Sequence, residues 1–232
     1  MRVYLKNYVK YIIMGTCFAA IILVSMYKTT VLDYINESVM YLPIFSIILT
    51  VLVLLETYEY KMEEIYYIAD KSRVKTFIKR IMRIMLIEII VIMMNLVLYL
   101  LFFDIGFEHD SSKWLYFEAT ILSMFMFVAV TSFLCALFKN KAMVLCTASL
   151  YWIYWICNLK ESFFNPFIFV ENPVVFEDYR GSQIIFIIFF VLIFFVIESK
   201  GPFWIKDKVR LIIGKKGKNT RDDVKITWKE IR

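Results

Sequence analysis

The sequence predicts an all-α membrane protein with six transmembrane helices and both termini in the cytoplasm. The first observation is composition, since hydrophobic residues make up 61% of the chain and the mean hydropathy is +0.67, as in membrane proteins. The second is a set of six apolar runs, each with the roughly 17–25 residues that a helix needs to cross the hydrocarbon core. The third is an unequal distribution of charge between the connections. The runs lie at 11–27, 38–55, 84–103, 114–138, 142–159 and 181–197.

The first run follows a basic N-terminus that contains Arg2, Lys6 and Lys10. Secretory signal peptides begin in the same way, but no small-x-small cleavage site follows Ser25. The first run is therefore predicted to remain as a span. The other runs lack the polar face that a soluble helix of this length would show, and a helix is the structure that satisfies its own backbone in lipid.

Charge predicts the orientation of the helices. Of the 27 Lys and Arg residues, all but four fall on one side of the membrane if both termini are placed on that side. The positive-inside rule makes that side cytoplasmic, and termini on the same side require an even number of spans. The net charge of +6 then reflects membrane flanks and headgroup contacts rather than nucleic-acid binding. The four exceptions are Lys28, Lys113, Lys160 and Arg180.

The chain is predicted to divide into a transmembrane domain at 1–199 and a basic cytoplasmic tail at 200–232. In the tail, apolar residues recur at helical spacing among lysines and arginines, which predicts an amphipathic helix on the inner leaflet. These apolar residues are Ile205, Val209, Ile212 and Ile213.

Between the second and third runs lies one strongly charged segment at 56–83. An apolar stripe follows one face of a helix there, with its members at i, i+4, i+7, i+8 and i+11, and carboxylates lie on the other faces. Such a helix could present charge to a cytoplasmic partner, or it could be a solvated connector. The stripe consists of Tyr58, Met62, Ile65, Tyr66 and Ala69.

The residue types do not support a catalytic site or a metal-binding site. His109 is the single histidine, so neither a histidine pair for a metalloprotease nor a base for a Ser-His hydrolase can be assembled. All four cysteines lie in apolar runs, where thiols are usually structural. Gly214 and Gly217 belong to a basic tail rather than to a phosphate-binding loop. We therefore predict that the chain is not an enzyme and holds no metal or cofactor of its own.

Glu88 and Asn95 are polar residues within the third run. Because a carboxylate at membrane depth is costly and normally faces protein or water, both residues are candidates for a translocation path. Two alternatives stay open. Glu88 could form an ion pair with Arg80 or Arg83, and Asn95 could link helices together with polar residues of the fourth run.

The order of these parts resembles the ABC-2 type of ABC-transporter permease, which has a short amphipathic start, two spans, a charged cytoplasmic helix and four more spans. In that family the segment after the second span begins with an acidic, a basic and a Thr-like residue. A Glu and apolar residues follow, and then come Ser-Arg and a Lys at the foot of the third span. The usual Gly before the Thr-like position and the usual Pro before Ser-Arg are missing here. The matching positions are Glu59, Lys61, Met62, Glu64, Ile65, Ile68, Ala69, Ser72, Arg73 and Lys79.

A second similarity lies in the outer segment at 160–180, between the fifth and sixth runs. The family often carries Asn-Pro or Ser-Pro there in a partly embedded stretch, and this chain has Asn165-Pro166 and Asn172-Pro173 among phenylalanines. Proline breaks helices and aromatic residues favour the interface. A re-entrant-like segment is therefore expected, and an aromatic belt is the alternative.

The resemblance implies a multi-pass permease subunit of an ABC exporter in a bacterial cell membrane, with a peptide, antimicrobial or lipid-like substrate. A separate ATPase subunit would bind ATP and Mg, and a second permease subunit, identical or related, would complete the path. The helix after the second span would dock in the ATPase, with four polar contacts and two packing anchors. The alternative is a non-transporting membrane immunity or sensory protein. The docking residues would be Glu59, Glu63, Glu64 and Arg73 for the polar contacts, with Ile65 and Tyr66 as the anchors.

Overall fold

The computed structural model describes residues 2–25, 30–59, 73–102, 110–158, 162, 164–167 and 173–200. Within these residues the chain forms six helices and no strand, so the all-α prediction is confirmed. The helices are α1 (Arg2–Ser25), α2 (Val31–Glu59), α3 (Arg73–Phe102), α4 (Asp110–Phe138), α5 (Lys141–Cys157) and α6 (Pro173–Lys200). The predicted tail at 200–232 lies outside the described residues apart from Lys200, which ends α6.

By length and composition, four of these helices could cross a membrane, through Val31–Leu55, Phe77–Phe102, Lys113–Phe138 and Asp178–Ile197. The apolar parts of α1 and α5 are shorter, at Val9–Ile21 and Lys141–Cys157. The chain is thus a membrane-embedded helical protein, and the total of six spans stays a prediction.

Several helices are longer than the apolar runs from which they were predicted. α2 begins seven residues before its predicted run because Thr30 and Asp33 form a capping box. The Asp33 amide donates to Thr30 Oγ1 at 3.2 Å, and the Thr30 amide donates to Asp33 Oδ2 at 3.1 Å. α3 likewise begins at Arg73 rather than near residue 84, because hydropathy marks only the part of a helix that suits hydrocarbon.

The connection between α4 and α5 consists of two residues. Lys139 adopts a positive φ of 52°, which ends α4, and its amide donates to the Cys135 carbonyl at 3.1 Å. Asn140 then caps α5 by accepting a hydrogen bond from the Met143 amide at 3.2 Å. This tight reversal places α5 antiparallel against α4.

The bundle is centred on α2 and α4. Contacts between residues 34 and 116 and between 39 and 123 show that α2 and α4 run in the same direction. α2 also packs on α1, α3 and α5, while α4 packs on α3, α5 and α6. Contacts between residues 38 and 95 and between 53 and 80 make α2 and α3 antiparallel. Polar side chains between α2, α3 and α4 are thereby enclosed by helices.

α1 lies close to α2 and α3 at Gly15. A Cβ atom added there would lie 2.5 Å from Cγ2 of Val91 and 2.8 Å from Cζ of Phe45, and both of these side chains are buried. A larger residue must therefore push α1 away from α2 and α3.

We expect Gly15→Leu to lower the free energy of unfolding by about 1–3 kcal/mol, the usual cost of overpacking a filled core. Thermal unfolding of the protein in nanodiscs measures the loss. Gly181→Leu is the matched control because an added Cβ at Gly181 meets nothing within 4 Å. Equal melting temperatures for the two variants would contradict the close approach of α1.

Candidate functional site

The candidate site is a set of buried polar residues between α2, α3 and α4. One part of it surrounds Asn95 and the other part surrounds Glu88. These two residues are seven positions apart on α3, so they share one face and are separated by about 10 Å along the helix. Both are fully buried.

Asn95 links three helices. Its Nδ2 donates to Ser38 Oγ on α2 and to Tyr116 Oη on α4, each at 3.2 Å. Tyr116 Oη in turn donates to the Ile92 carbonyl of α3 at 3.3 Å. A single amide group has two N–H bonds and can therefore serve two neighbouring helices at once. This is the helix-linking arrangement considered from the sequence.

Three stacked tyrosines lie beside Asn95, on the side toward the C-terminal end of α3. The Tyr34 ring stacks on Tyr99 with centroids 3.8 Å apart and on Tyr116 with centroids 5.0 Å apart, at interplanar angles of 14° and 19°. All three side chains are fully buried. Sequence reasoning did not select them, although Tyr34 and Ser38, and likewise Asn95 and Tyr99, have the i, i+4 spacing of one helical face.

Glu88 lies in the seam between α2 and α3. Among the described residues, neither carboxylate oxygen has a hydrogen-bond partner. The polar group beside the carboxyl is the Ser46 hydroxyl of α2, which is also buried and does not complete a hydrogen bond with it. A fully enclosed carboxyl group with no ion partner is the most unusual chemical feature of the described residues.

In the described part of the chain, neither arginine considered as an ion partner bonds to the Glu88 carboxylate. Arg80 donates instead to the Val53 carbonyl at 3.4 Å, and its guanidinium carbon lies 5.8 Å from the centre of the Phe77 ring. Arg80 is eight residues from Glu88, about 12 Å along the helix. Arg83, five residues away, lies on a different face of α3 and is exposed.

A second buried feature is the segment Asn165 to Phe167, which lies between α4, α5 and α6. Phe167 packs against Phe127 of α4 with ring centroids 5.6 Å apart. The Asn165 side chain accepts from the Phe167 amide at 2.8 Å, and the Asn165 carbonyl accepts from Gln183 Nε2 at 3.0 Å. On the preceding side, Tyr151 Oη donates to the Phe164 carbonyl at 2.8 Å.

The position of Gln183 places this segment inside the bundle. Gln183 lies ten residues into α6, about 15 Å along its axis from the N-terminal end of the helix. α5 contains 17 residues, about 26 Å, so it is shorter than the hydrocarbon core of about 30 Å. α6 begins at Pro173, so the last part of the segment predicted at 160–180 is helical.

An exposed ion pair joins α4 and α6 near their N-terminal ends. Arg180 Nη1 donates to Glu118 Oε1 at 2.6 Å, and the two side chains are 47% and 36% exposed. At this exposure the pair contributes at most about 1 kcal/mol. It differs from Glu88, which is fully buried and has no cation bonded to it among the described residues.

The proposed docking residues fall mainly outside the described residues. Glu59 is the last residue of α2 and Arg73 is the first of α3, so both belong to the long helices rather than to a separate connecting helix. The other proposed docking residues lie between these two in sequence and are not described. They are Glu63, Glu64, Ile65 and Tyr66. The segment at 60–72 therefore connects the C-terminal end of α2 to the N-terminal end of α3, and these two helices pack against each other.

No protein-family model matches the chain, and neither a curated protein nor a solved structure is significantly similar to it. Function must therefore be inferred from the chain's own residues. Among the described residues, no three His, Cys, Asp or Glu side chains lie together as a metal site would require.

Proposed function

We propose that this protein is the transmembrane permease subunit of a bacterial ABC exporter that moves a peptide, antimicrobial or lipid-like substrate. The observation that carries the proposal is the antiparallel pair α2 and α3 joined by the charged segment at 60–72. This is the place where permeases of the ABC-2 type, which the sequence resembles, carry the helix that docks in the ATPase.

Both helices extend beyond their apolar stretches toward the charged segment. The apolar part of α2 ends at Leu55 and the helix continues to Glu59, while α3 begins at Arg73 and becomes apolar at Phe77. A force on the segment would therefore act on two continuous helices and move them as rigid bodies.

Movement of α2 would reach most of the bundle, because α2 packs on α1, α3, α4 and α5. The polar residues Glu88 and Asn95 lie on the face of α3 that meets α2, so displacement of α2 would uncover them. This supports their proposed place beside a translocation path. A second permease subunit would complete that path.

In this proposal the segment at 60–72, both termini and the basic tail are cytoplasmic. The bias of Lys and Arg supports this orientation. The ATPase, with its ATP and Mg, would then bind at the inner ends of α2 and α3.

The proposal is tested by co-purification of the tagged protein with the ATPase encoded beside its gene. We expect a stable complex whose ATP turnover in nanodiscs exceeds that of the ATPase alone. An ATPase from an unrelated exporter is the control and should not be retained. A protein that purifies without any ATPase, and leaves the turnover of the neighbouring one unchanged, would favour the immunity or sensory alternative.

A further inference from the structure

Glu88 is a buried acidic group that the proposed export function leaves without a chemical role. Its side chain is fully enclosed in the α2–α3 seam, and in the part of the chain that the structure describes no group forms a hydrogen bond with either of its oxygens. An ionised carboxylate in such a place is costly unless a cation or several hydrogen-bond donors surround it. The geometry therefore requires some positive species at this carboxyl group.

The neighbouring helices do not supply that species. α3 packs on α1, α2, α4 and α6, and the polar group that acts on Glu88 is the Ser46 hydroxyl of α2. No described side chain forms a hydrogen bond with the Glu88 carboxyl, and this includes the titratable side chains nearest to the same depth. These side chains are Lys10 and Tyr11 on α1, Tyr41 on α2, Arg83 on α3 itself and Cys135 on α4, and the described part of α6 from 181 to 197 contains none.

The surroundings also decide which cation fits. Calcium and magnesium take about six or more oxygen ligands, whereas this carboxyl group has one hydroxyl beside it. No group of three acidic, histidine or cysteine side chains occurs in the described part of the chain. The ammonium group of a bound ligand would not fit, because the fully enclosed Glu88 side chain has no space beside it. A proton needs neither additional ligands nor space.

We propose that Glu88 is a proton-binding site in the membrane interior of the bundle. The carboxyl group keeps its proton while α2 and α3 are packed together. When the seam opens, water reaches the group, the O–H bond breaks and the proton passes to water, leaving a hydrated carboxylate. This site goes beyond the export function and does not depend on it.

The proposal makes opening of the seam depend on pH. Because the packed state holds one proton more than the open state, a rise in pH favours the open state and a fall favours the packed state. The same relation holds for unfolding, which also exposes Glu88 to water.

Infrared spectroscopy of the protein in nanodiscs detects the proton directly. At neutral pH we expect a protonated-carboxyl C=O band that is lost in Glu88→Gln and kept in Glu118→Gln, the control in which an exposed, ion-paired carboxylate is replaced. Labelling wild-type glutamate with carbon-13 should shift the same band, which keeps the test independent of the folding of a variant. Absence of the band at neutral pH in the wild type would overturn the proposal.

The second measurement is the pH dependence of unfolding in SDS. Above the pH at which a hydrated carboxyl group ionises, the wild-type unfolding constant should rise with pH more steeply than that of Glu88→Gln. The difference should be about tenfold per pH unit, as one additional bound proton requires. Glu118→Gln should follow the wild type. Equal slopes for the wild type and Glu88→Gln would show that Glu88 holds no proton.

Discussion

Reversing both Glu63 and Glu64 to Lys is expected to abolish recovery of the ATPase with the purified protein. In the proposed complex these carboxylates meet basic groups of the ATPase, so the change removes attraction and adds repulsion. Such a change at an interface costs about 2–5 kcal/mol, which lowers affinity roughly 30-fold to several thousand-fold. Co-purification and ATP turnover in nanodiscs measure the loss.

The matched control is the reversal of Asp222 and Asp223 to Lys, which changes the same charge in the predicted tail. Because these residues lie outside the segment that the resemblance places in the ATPase groove, this variant should retain the complex. If the double variant with Glu63→Lys and Glu64→Lys inserts normally and still retains the ATPase and its turnover, the segment at 60–72 is only a connector. The export proposal would then lose its main support.

Replacing Phe167 by Ala should destabilise the bundle by about 3–5 kcal/mol, the usual cost of deleting a buried Phe side chain. Phe167 is fully buried and packs on Phe127 in the middle of α4. Its loss would leave a cavity between α4, α5 and α6. The segment of Asn165 to Phe167 fills this space because α5 is short. Unfolding in SDS measures the change in free energy.

Phe164→Ala is the control for this experiment. Phe164 belongs to the same turn, but its side chain is 53% exposed and has an edge contact with Phe186. Its removal should cost at most about 1.5 kcal/mol, the upper value for an aromatic pair. Similar losses for Phe164→Ala and Phe167→Ala would mean that the segment packs against the bundle without entering it.

The apolar runs were sufficient to predict all six described helices and their order along the chain, because a helix is the only open-chain structure that satisfies the backbone in lipid. Their ends were less predictable. The Thr30 and Asp33 cap adds two turns to α2, and Arg73 starts α3 well before the apolar run. Hydropathy does not record these turns, since a helix continues wherever its backbone bonds and caps permit.

The sequence by itself determined that Glu88 and Asn95 lie on one face of a membrane-depth helix, because their spacing is seven residues and their polarity is unusual there. Only the tertiary structure decided what they meet. Asn95 bonds to Ser38 and Tyr116, whereas Glu88 meets Ser46 and no arginine. Periodicity fixes the face of a single helix, but the residues opposite that face depend on how separate helices pack, and the spacing along one chain does not encode that contact.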